Sequence, residues 1–217
     1  MIIKDIPLSV TAAKLSQFFS LHPSHPQQRL LSRAAEIVNS GGLVAFPTDT
    51  TYTLGCHIGD KQAVERIRQI RRLDKNHYLT LMCRDLSALG TYARVDNANY
   101  RILKGLTPGP FTFVLRATRE VPRRLVHPRR KTIGLRIPDS PIVLGMLEAL
   151  AEPMMSTTMR LPAEDEPLTD PDEIRKRLEH SVDVVLDGGI CGLVPTTVVD
   201  LTDGVGEVIR QGLGEFA

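Results

Sequence analysis

Short apolar runs alternate along the chain with segments whose apolar residues recur at helical spacing. The runs Leu43–Phe46, Phe111–Leu115 and Thr132–Ile137 are bounded by glycine, proline or polar residues, which is typical of strands. The segment Gln27–Asn39, which follows Pro26, repeats its apolar residues with the period of a helix. The alternation predicts a single α/β domain in which about eight strands and five or six helices form a twisted mixed sheet.

Further elements follow from the same patterns. Helix starts are expected where aspartate or serine stands in the N-cap position, at Asp60, Asp85, Asp96, Ser140 and Asp170. A short helix is also expected around Ala12–Phe19. Additional strands are predicted at Tyr78–Met82, Pro153–Thr158, Val182–Leu186, Thr197–Leu201 and Glu207–Arg210.

The stretch Gly41–Gly55, GGLVAFPTDTTYTLG, joins a predicted buried strand to a loop rich in hydroxyl groups. The loop segment Thr48–Thr51 contains three threonines and one aspartate, and it carries no positive charge. Loops at strand ends are where α/β proteins place ligand chemistry. From spacing alone, an ordinary polar turn and a ligand-binding loop both remain open.

Composition restricts the classes of protein to which the chain can belong. Its 217 residues are 42% apolar and carry a net charge of +2, which permits an anionic partner without requiring one. Cys56, Cys83 and Cys191 are far apart and odd in number, so reduced thiols in a cytosolic protein are expected. The apolar runs are too short to span a bilayer, and the first residues lack a signal-peptide pattern. A cytoplasmic protein without a membrane segment is therefore predicted.

The sequence lacks several common catalytic and nucleotide-binding motifs. It contains no P-loop pattern, no G-x-G-x-x-G and no G-x-S-x-G, and no histidine or cysteine spacing predicts a metal site. His57 and His77 are candidate general bases, although a surface or packing role is the simpler interpretation. The catalytic residues remain unknown at this point.

Arg136 lies inside a predicted strand, between Leu135 and Ile137, and should therefore point to the opposite face from these two apolar residues. An arginine in this setting is often buried and needs an anionic partner. A structural pair with a carboxylate and a contact with a ligand both remain open. The basic segment 116–131 can likewise be a solvated loop or a surface that follows phosphates.

Five blocks in a fixed order resemble the YrdC family: GGLVAFPTDTTYTLGC, TPGPFTFVL, KTIGLRIPDSPI, DGG…PTTVVDLT and IRQG. The resemblance covers about residues 24–213, and the segments SQFF…HP…PQQRL and TLMCRDL make the YciO subgroup the most similar one. Residues 24–213 are therefore expected to form a YrdC-like domain, with residues 1–23 as an N-terminal extension. Residues 1–14 match no part of the pattern and are expected to be dispensable.

The resemblance implies a twisted mixed sheet with a concave basic face. The well-known members of the family are threonylcarbamoyl-adenylate synthases, which join ATP, L-threonine and bicarbonate and release pyrophosphate. A partner protein then transfers the threonylcarbamoyl group to tRNA. Members also bind double-stranded RNA. ATP is thus the expected substrate, and Mg²⁺ on its phosphates is compatible with this chemistry, although the sequence shows no dedicated carboxylate cluster.

The matching blocks also imply site residues. The substrate-binding positions correspond to Thr50, Arg136, Ser156 and Thr196. The nucleotide-binding positions correspond to Thr132, Thr158, Arg210 and Arg71. The residues predicted to contact RNA are Arg72, Lys75, Arg123, Arg124, Arg129 and Arg130.

The chain departs from the family pattern at its phosphate-binding signatures. Leu73 stands where the family has an arginine, Met82 replaces a histidine, and Arg160 replaces the asparagine of S-x-N. Arg72, Lys75 and Arg160 are candidates to compensate for the lost contacts. Two hypotheses follow: an adenylate-forming enzyme with altered phosphate contacts, and an RNA-binding protein that does not turn over ATP.

Overall fold

The chain forms one mixed sheet with helices on both of its faces. The computed structural model describes residues 15–74 and 77–216. The strands within these residues are β1 (Gln17–Ser20), β2 (Val44–Phe46), β3 (Thr53–His57), β4 (Thr80–Met82), β5 (Phe111–Arg116), β6 (Thr132–Arg136), β7 (Met154–Thr158), β8 (Val184–Asp187), β9 (Thr197–Asp200) and β10 (Glu207–Arg210).

The α-helices in the same residues are α1 (Gln28–Asn39), α2 (Lys61–Arg71), α3 (Leu86–Tyr92), α4 (Asn97–Leu106), α5 (Pro141–Leu150) and α6 (Pro171–Leu178), and Arg123–Leu125 forms a 3₁₀ turn. The predicted caps are confirmed, because all five side chains accept a hydrogen bond from a backbone N–H in the first turn of their helix. In the described part of the chain, no helix is both long and apolar enough to cross a lipid bilayer.

The sheet confirms the predicted α/β class and its mixed strand directions. The strand order is β1-β8-β2-β3-β7-β4-β6-β5-β9-β10. The pairs β1/β8, β2/β8, β4/β6 and β5/β9 are parallel, and the remaining neighbours are antiparallel. The sheet is therefore continuous from the first described strand to the last.

The N-terminal part of the sheet differs from the prediction. Residues 17–19 were predicted as the end of a helix, which is wrong, because Gln17–Ser20 pairs in parallel with β8. This strand falls within residues 1–23, so the part of the predicted extension from residue 17 to residue 20 belongs to the sheet. Residues 1–14, including the start of the predicted helix, lie outside the described residues. The strand Thr53–His57 was not predicted, because TLGCH is buried along nearly its whole length and does not alternate.

Helices cover the two faces of the sheet unequally. Helices α2, α3, α4 and α6 pack on one face, in a core that includes residues of β2 to β9. Helices α1 and α5 pack on the other face, and the strand residues of their core come from β2, β4, β7 and β8. On this second face, β5, β6, β9 and β10 contribute nothing to the helical core. That half of the face is consequently available for a cavity.

Two glycines on the second face show how tightly its covered and uncovered halves are packed. A Cβ at Gly55 in β3 would lie 2.7 Å from the ring of Phe46 and 2.8 Å from the sulfur of Met154, both fully buried. A Cβ at Gly134 in β6 would meet nothing closer than Thr112, at 3.5 Å. Gly55 is therefore required by packing under the helices, whereas Gly134 lies where there is room.

We expect Gly55→Ala to lower the free energy of unfolding by about 1–3 kcal/mol, because extra atoms in a packed core force side chains from their rotamers. Gly134→Ala is the matched control, and its free energy of unfolding should not fall, since alanine suits a strand better than glycine. Urea unfolding of the two variants measures both values. Equal destabilisation would contradict the unequal packing of the two halves.

Candidate functional site

A cavity of about 370 Å³ lies on the half of the sheet face that α1 and α5 leave uncovered. No carboxylate is found among its described lining residues, whereas Arg130, Arg136 and Arg210 all contribute to its wall. An enclosed surface with this charge suits an anionic ligand. Most of the remaining polar groups are hydroxyls, from Thr53, Thr80, Thr112, Thr132, Ser156, Thr157, Thr158 and Thr196.

The alternation of side chains along β6 places the central arginine in this cavity. Leu135 and Ile137 belong to the core on the opposite face, while Gly134 and Arg136 line the cavity. The predicted orientation of Arg136 is therefore confirmed. Because Gly134 has no side chain, the cavity floor is open between Thr132 and Arg136.

The guanidinium of Arg136 is buried, with 5% of the residue exposed, and it is held by the loop that follows β2. Its Nη2 donates to Thr50 Oγ1 at 3.0 Å and to Thr48 Oγ1 at 3.4 Å, and it forms an ion pair with Asp49. Burial lowers the pKa of Arg136, and the carboxylate of Asp49 opposes this effect. The anionic partner expected from the sequence is thus present within the protein.

The ion pair leaves one atom on each side without a partner. Nε of Arg136 and Oδ2 of Asp49 are both buried and have no hydrogen-bond partner among the described residues. Such orphaned buried groups are rare in folded proteins and often mark a position for water or a ligand. A carboxylate at this end of the cavity has an available guanidinium donor.

The loop after β2 is organised by Thr48. Its hydroxyl accepts hydrogen bonds from the backbone N–H of Thr50 and Thr51 and donates to the carbonyl of Thr51 at 2.7 Å. Tyr52 connects the loop to the segment after β8, since its hydroxyl donates to the carbonyl of Gly189 at 3.0 Å. The two loops are therefore held together beside Arg136.

The opposite wall of the cavity is formed by β5, β9 and β10. The hydroxyls of Thr112 and Thr196 are 2.9 Å apart, and Arg210 Nη2 donates to the carbonyl of Thr196 at 2.8 Å. On the floor, Ser156 donates its hydroxyl to the carbonyl of Thr80 at 2.9 Å. These contacts fix the side chains in place and leave Arg210 with further donors.

Positive charges crowd together on one side of the cavity. Burial and the neighbouring charge of Arg160 lower the pKa of Arg71 to about 10. The same two causes lower the pKa of Arg210. Burial, together with the charges of Arg71, Arg160 and Arg68, lowers the pKa of His77. None of Arg71, Arg160 and Arg210 has an ion pair with a carboxylate among the described residues. We call these three residues the arginine cluster.

Most of the predicted small-molecule contacts converge on the cavity. Its lining includes Arg136, Ser156, Thr196, Thr132, Thr158 and Arg210. Thr50 is buried behind the lining and reaches it through Arg136. Arg71 is also behind the lining, where its Nη1 donates to the carbonyl of Arg160 and its Nε has no partner among the described residues.

The residues predicted to contact RNA are more dispersed. Arg130 lines the cavity and pairs with Asp200, whereas Arg124 donates to the carbonyls of Ile58 and Gly59. Arg129 is exposed beside His127, and Arg123 lines a smaller crevice next to the cavity. Arg72 is exposed at the end of α2, away from the cavity lining. Lys75 lies outside the described residues.

The three departures from the family pattern have different structural consequences. Leu73 packs against the core, so no phosphate contact arises there. Met82 is buried under α1 and α5 at the margin of the cavity. Arg160 is exposed, and its charge acts on Arg71 and Arg210. Arg72, the other described candidate for compensation, lies away from the cavity lining.

Sequence reasoning missed several residues of the site. Thr112 belongs to a predicted strand and lies two residues before Val114, which also lines the cavity. Residues two apart on a strand share a face, so the alternation could have placed Thr112 on the cavity face. Asp49 lies in the recognised loop, but no local pattern links it to Arg136, 87 residues later. Tyr78 and His127 line the cavity as a stacked aromatic pair, which no sequence signal joined.

Fold and site together define an α/β protein whose open sheet face carries a cavity lined by guanidinium groups and hydroxyls. The chain belongs to the Sua5/YciO/YrdC family, whose model, described as telomere recombination, matches residues 36–212. This finding agrees with the YrdC resemblance seen in the sequence.

Individual relatives support the same family. The uncharacterized protein YciO of Escherichia coli is 54% identical over 201 residues, which cover 93% of this chain and 98% of that protein. The crystal structure of E. coli YciO matches with a TM-score of 0.89. A putative threonylcarbamoyl-AMP synthase of Methanocaldococcus jannaschii is 29% identical over 92% of this chain and 93% of its own length.

A structure with a bound amino acid also has this fold. P. abyssi Sua5 in complex with L-threonine matches with a TM-score of 0.83 and 26% identity, over 91% of this chain and 58% of that one. The YrdC-like fold, a mixed sheet with helices on it, is therefore shared across these relatives.

We expect Asp49→Ala to lower the free energy of unfolding by about 3 kcal/mol or more, because it leaves the buried charge of Arg136 without its counter-charge. Asp139→Ala removes an exposed carboxylate in the loop after β6 and should change stability by less than about 0.5 kcal/mol. Chemical denaturation compares the two variants. Equal stability would mean that the hydroxyls alone hold the guanidinium.

Proposed function

We propose that this protein is an adenylate-forming enzyme that makes threonylcarbamoyl-adenylate and pyrophosphate from ATP, L-threonine and bicarbonate. One observation carries the proposal: the cavity region contains two separate cationic sites. One is Arg136, which is surrounded by hydroxyls, and the other is the arginine cluster. The M. jannaschii relative and the L-threonine complex of P. abyssi Sua5 support the choice of substrates.

The site around Arg136 suits the amino acid. A carboxylate suits the guanidinium of Arg136, because its Nε has no partner among the described residues and can donate a charge-assisted hydrogen bond. Thr196 and Ser156 line the same cavity and offer hydroxyls for the remaining polar groups of threonine. Thr50 keeps the guanidinium in place from behind.

The arginine cluster suits the phosphates. Burial lowers the pKa of Arg71 and of Arg210, and the nearby charge of Arg160 lowers both further. A bound phosphate would relieve this repulsion. Arg160 thereby takes over the electrostatic role that Leu73 cannot perform. Thr132 begins β6 and Thr158 ends β7, so both lie away from the Arg136 end of the cavity. Their hydroxyls are available there to the nucleotide.

The next question is whether the protein itself offers ligands for Mg²⁺. Among the described residues, no group of three or more histidine, cysteine, aspartate or glutamate side chains is arranged to hold a metal ion. Mg²⁺ commonly binds through substrate phosphates with few protein ligands. We therefore treat Mg²⁺ as part of the ATP substrate.

The reaction needs two bond-forming steps. The deprotonated amine of threonine attacks the carbon of bicarbonate, water leaves, and a carbamate forms. A carbamate oxygen then attacks the α-phosphorus of ATP, and pyrophosphate leaves. Positioning and charge stabilisation by Arg136 and the arginine cluster are the contributions of the protein. In the cytoplasm, where free cysteines stay reduced, a partner protein would pass the group on to tRNA.

We expect the wild-type protein to release pyrophosphate only when ATP, threonine and bicarbonate are all present. Arg136→Lys keeps the charge but loses the fork, so it should weaken threonine binding by about 1.5–3 kcal/mol with little change in stability. Arg33→Lys, on the exposed side of α1, is the matched control. Calorimetric titration with threonine and a coupled pyrophosphate assay measure both effects.

Two outcomes would count against the enzyme. If no substrate combination releases pyrophosphate, the synthase activity is refuted. If Arg136→Lys binds threonine as the wild type does, Arg136 has only a structural role with Asp49.

RNA binding is the second candidate function. It is favoured by basic residues near the cavity: Arg123 and Arg129 are exposed and flank His127 in the sequence, and a smaller crevice is lined by Arg68, Arg123 and Arg124. Contacts with phosphates would make binding salt-dependent and only weakly sequence-specific.

We expect tRNA and a random duplex to bind with similar affinity and to dissociate as salt rises. Replacing Arg123 and Arg129 with glutamine should reduce the slope of log K against log salt by about two, roughly one for each phosphate contact. The control replaces Arg29 and Arg33 in α1 with glutamine, which removes the same amount of positive charge. Affinity that is independent of salt would refute this function.

A further inference from the structure

We propose that the stacked rings of Tyr78 and His127 form the platform on which the base of the nucleotide stacks. The inference rests on the proposed function and extends it, because it assigns the base to a defined end of the cavity. Neither residue is a predicted contact, and no other role in the site accounts for their arrangement.

The ring of Tyr78 lies at the cavity wall with one of its faces stacked on His127. The two ring centroids are 4.6 Å apart and the ring planes differ by 18°, which is a stacked arrangement. Both residues line the cavity, and Tyr78 is 44% exposed. An exposed aromatic ring at the entrance of a hydroxyl-lined cavity is a place where another planar ring can add to the stack.

His127 is held rigidly in this position. Its Nδ1 accepts hydrogen bonds from the backbone N–H of Arg129 at 3.1 Å and of Arg130 at 3.0 Å, so Nδ1 carries no proton. Its own backbone N–H donates to the carbonyl of Thr132 at 2.8 Å. The ring is therefore ordered before any ligand arrives, which lowers the entropic cost of stacking.

The turn itself is not specific to this site. His22, in the sequence HPSH, accepts the same two hydrogen bonds from Ser24 and His25, and it does not line the cavity. The His-Pro turn is thus a local structural motif of this chain. What distinguishes His127 is the exposed tyrosine stacked on it.

The position of the platform along the sheet fits a nucleotide that extends toward Arg136. The backbone N–H of His127 donates to the carbonyl of Thr132, so the stacked pair lies at the Thr132 end of β6. The distance along β6 from Thr132 to Arg136 is about 13 Å at the usual rise per residue. This is comparable to the span from the base of an adenylate to a small amino acid attached to its phosphate.

Tyr78 and His127 are a stacked aromatic pair among the lining residues. The hydroxyls and guanidinium groups of the lining suit a ribose, phosphates and a carboxylate, and apolar side chains such as Val114, Val198 and Ile209 offer no ring for the π face of a base. Stacking on an aromatic side chain contributes to binding whatever the identity of the base. The platform should therefore supply affinity for nucleotides that inorganic triphosphate, which has no base, does not share.

The test compares Tyr78→Ala, Tyr78→Phe and Tyr100→Ala in the full chain. Tyr100 is the matched control, because it is 46% exposed and lies on α4, which packs on the opposite face of the sheet. Calorimetric titrations use two probes, ATP and inorganic triphosphate, each in the presence of Mg²⁺. We expect Tyr78→Ala to weaken ATP binding about 10- to 100-fold.

In the same titrations, Tyr78→Phe and Tyr100→Ala should bind ATP as the wild type does, and triphosphate affinity should be equal in all variants. A triphosphate of the fluorescent base 2-aminopurine should be quenched on binding by the wild type and by Tyr78→Phe, but much less by Tyr78→Ala.

The outcomes separate this inference from the proposed function. If the wild type binds no ATP, the proposed function is refuted, and so is the inference that a nucleotide base stacks on Tyr78 and His127. If the wild type binds ATP and Tyr78→Ala binds it equally well, the platform alone is overturned. Loss of RNA binding in Tyr78→Ala, with unchanged ATP binding, would also overturn it and would assign the two rings to an RNA base.

Discussion

The structure depends on holding one buried positive charge on an open sheet face. Arg136 projects from β6 where no helix covers the sheet, and a charge removed from water needs a partner. The loop after β2 provides that partner by turning about Thr48 and presenting Asp49 and Thr50 to the guanidinium. The loop conformation, the segment after β8 held by Tyr52, and the end of the cavity are all set by this contact.

The cavity exists because α1 and α5 cover only half of the second face. Under these helices the strands present Phe46 and Met154, and even a methyl group at Gly55 has no room. Beyond them the same face presents threonine and serine hydroxyls, and Gly134 keeps the floor open. One continuous sheet thus serves as a packed core on one side and as a binding surface on the other.

The two cationic parts of the site differ in their electrostatics. Arg136 has a carboxylate beside it, so its charge is largely compensated before a ligand binds. The arginine cluster has no such partner among the described residues, and burial together with the charge of Arg160 lowers the pKa of Arg71 and Arg210. An anion therefore gains more from the arginine cluster, while Arg136 contributes mainly orientation. This difference agrees with the proposal that phosphates bind at the arginine cluster and a carboxylate binds at Arg136.

The sequence by itself determined the α/β class, the helix caps and the orientation of Arg136, because these depend on local period and on residues close together in the chain. The order of its blocks also indicated the family. It did not reveal the strand Thr53–His57, whose nearly complete burial removes the alternation that predicts a strand. Only the tertiary structure decided that Asp49 pairs with Arg136, that Arg71 donates to the carbonyl of Arg160, and that Tyr78 stacks on His127. These contacts join residues many positions apart through strand order and loop placement, and no local pattern of side chains encodes either.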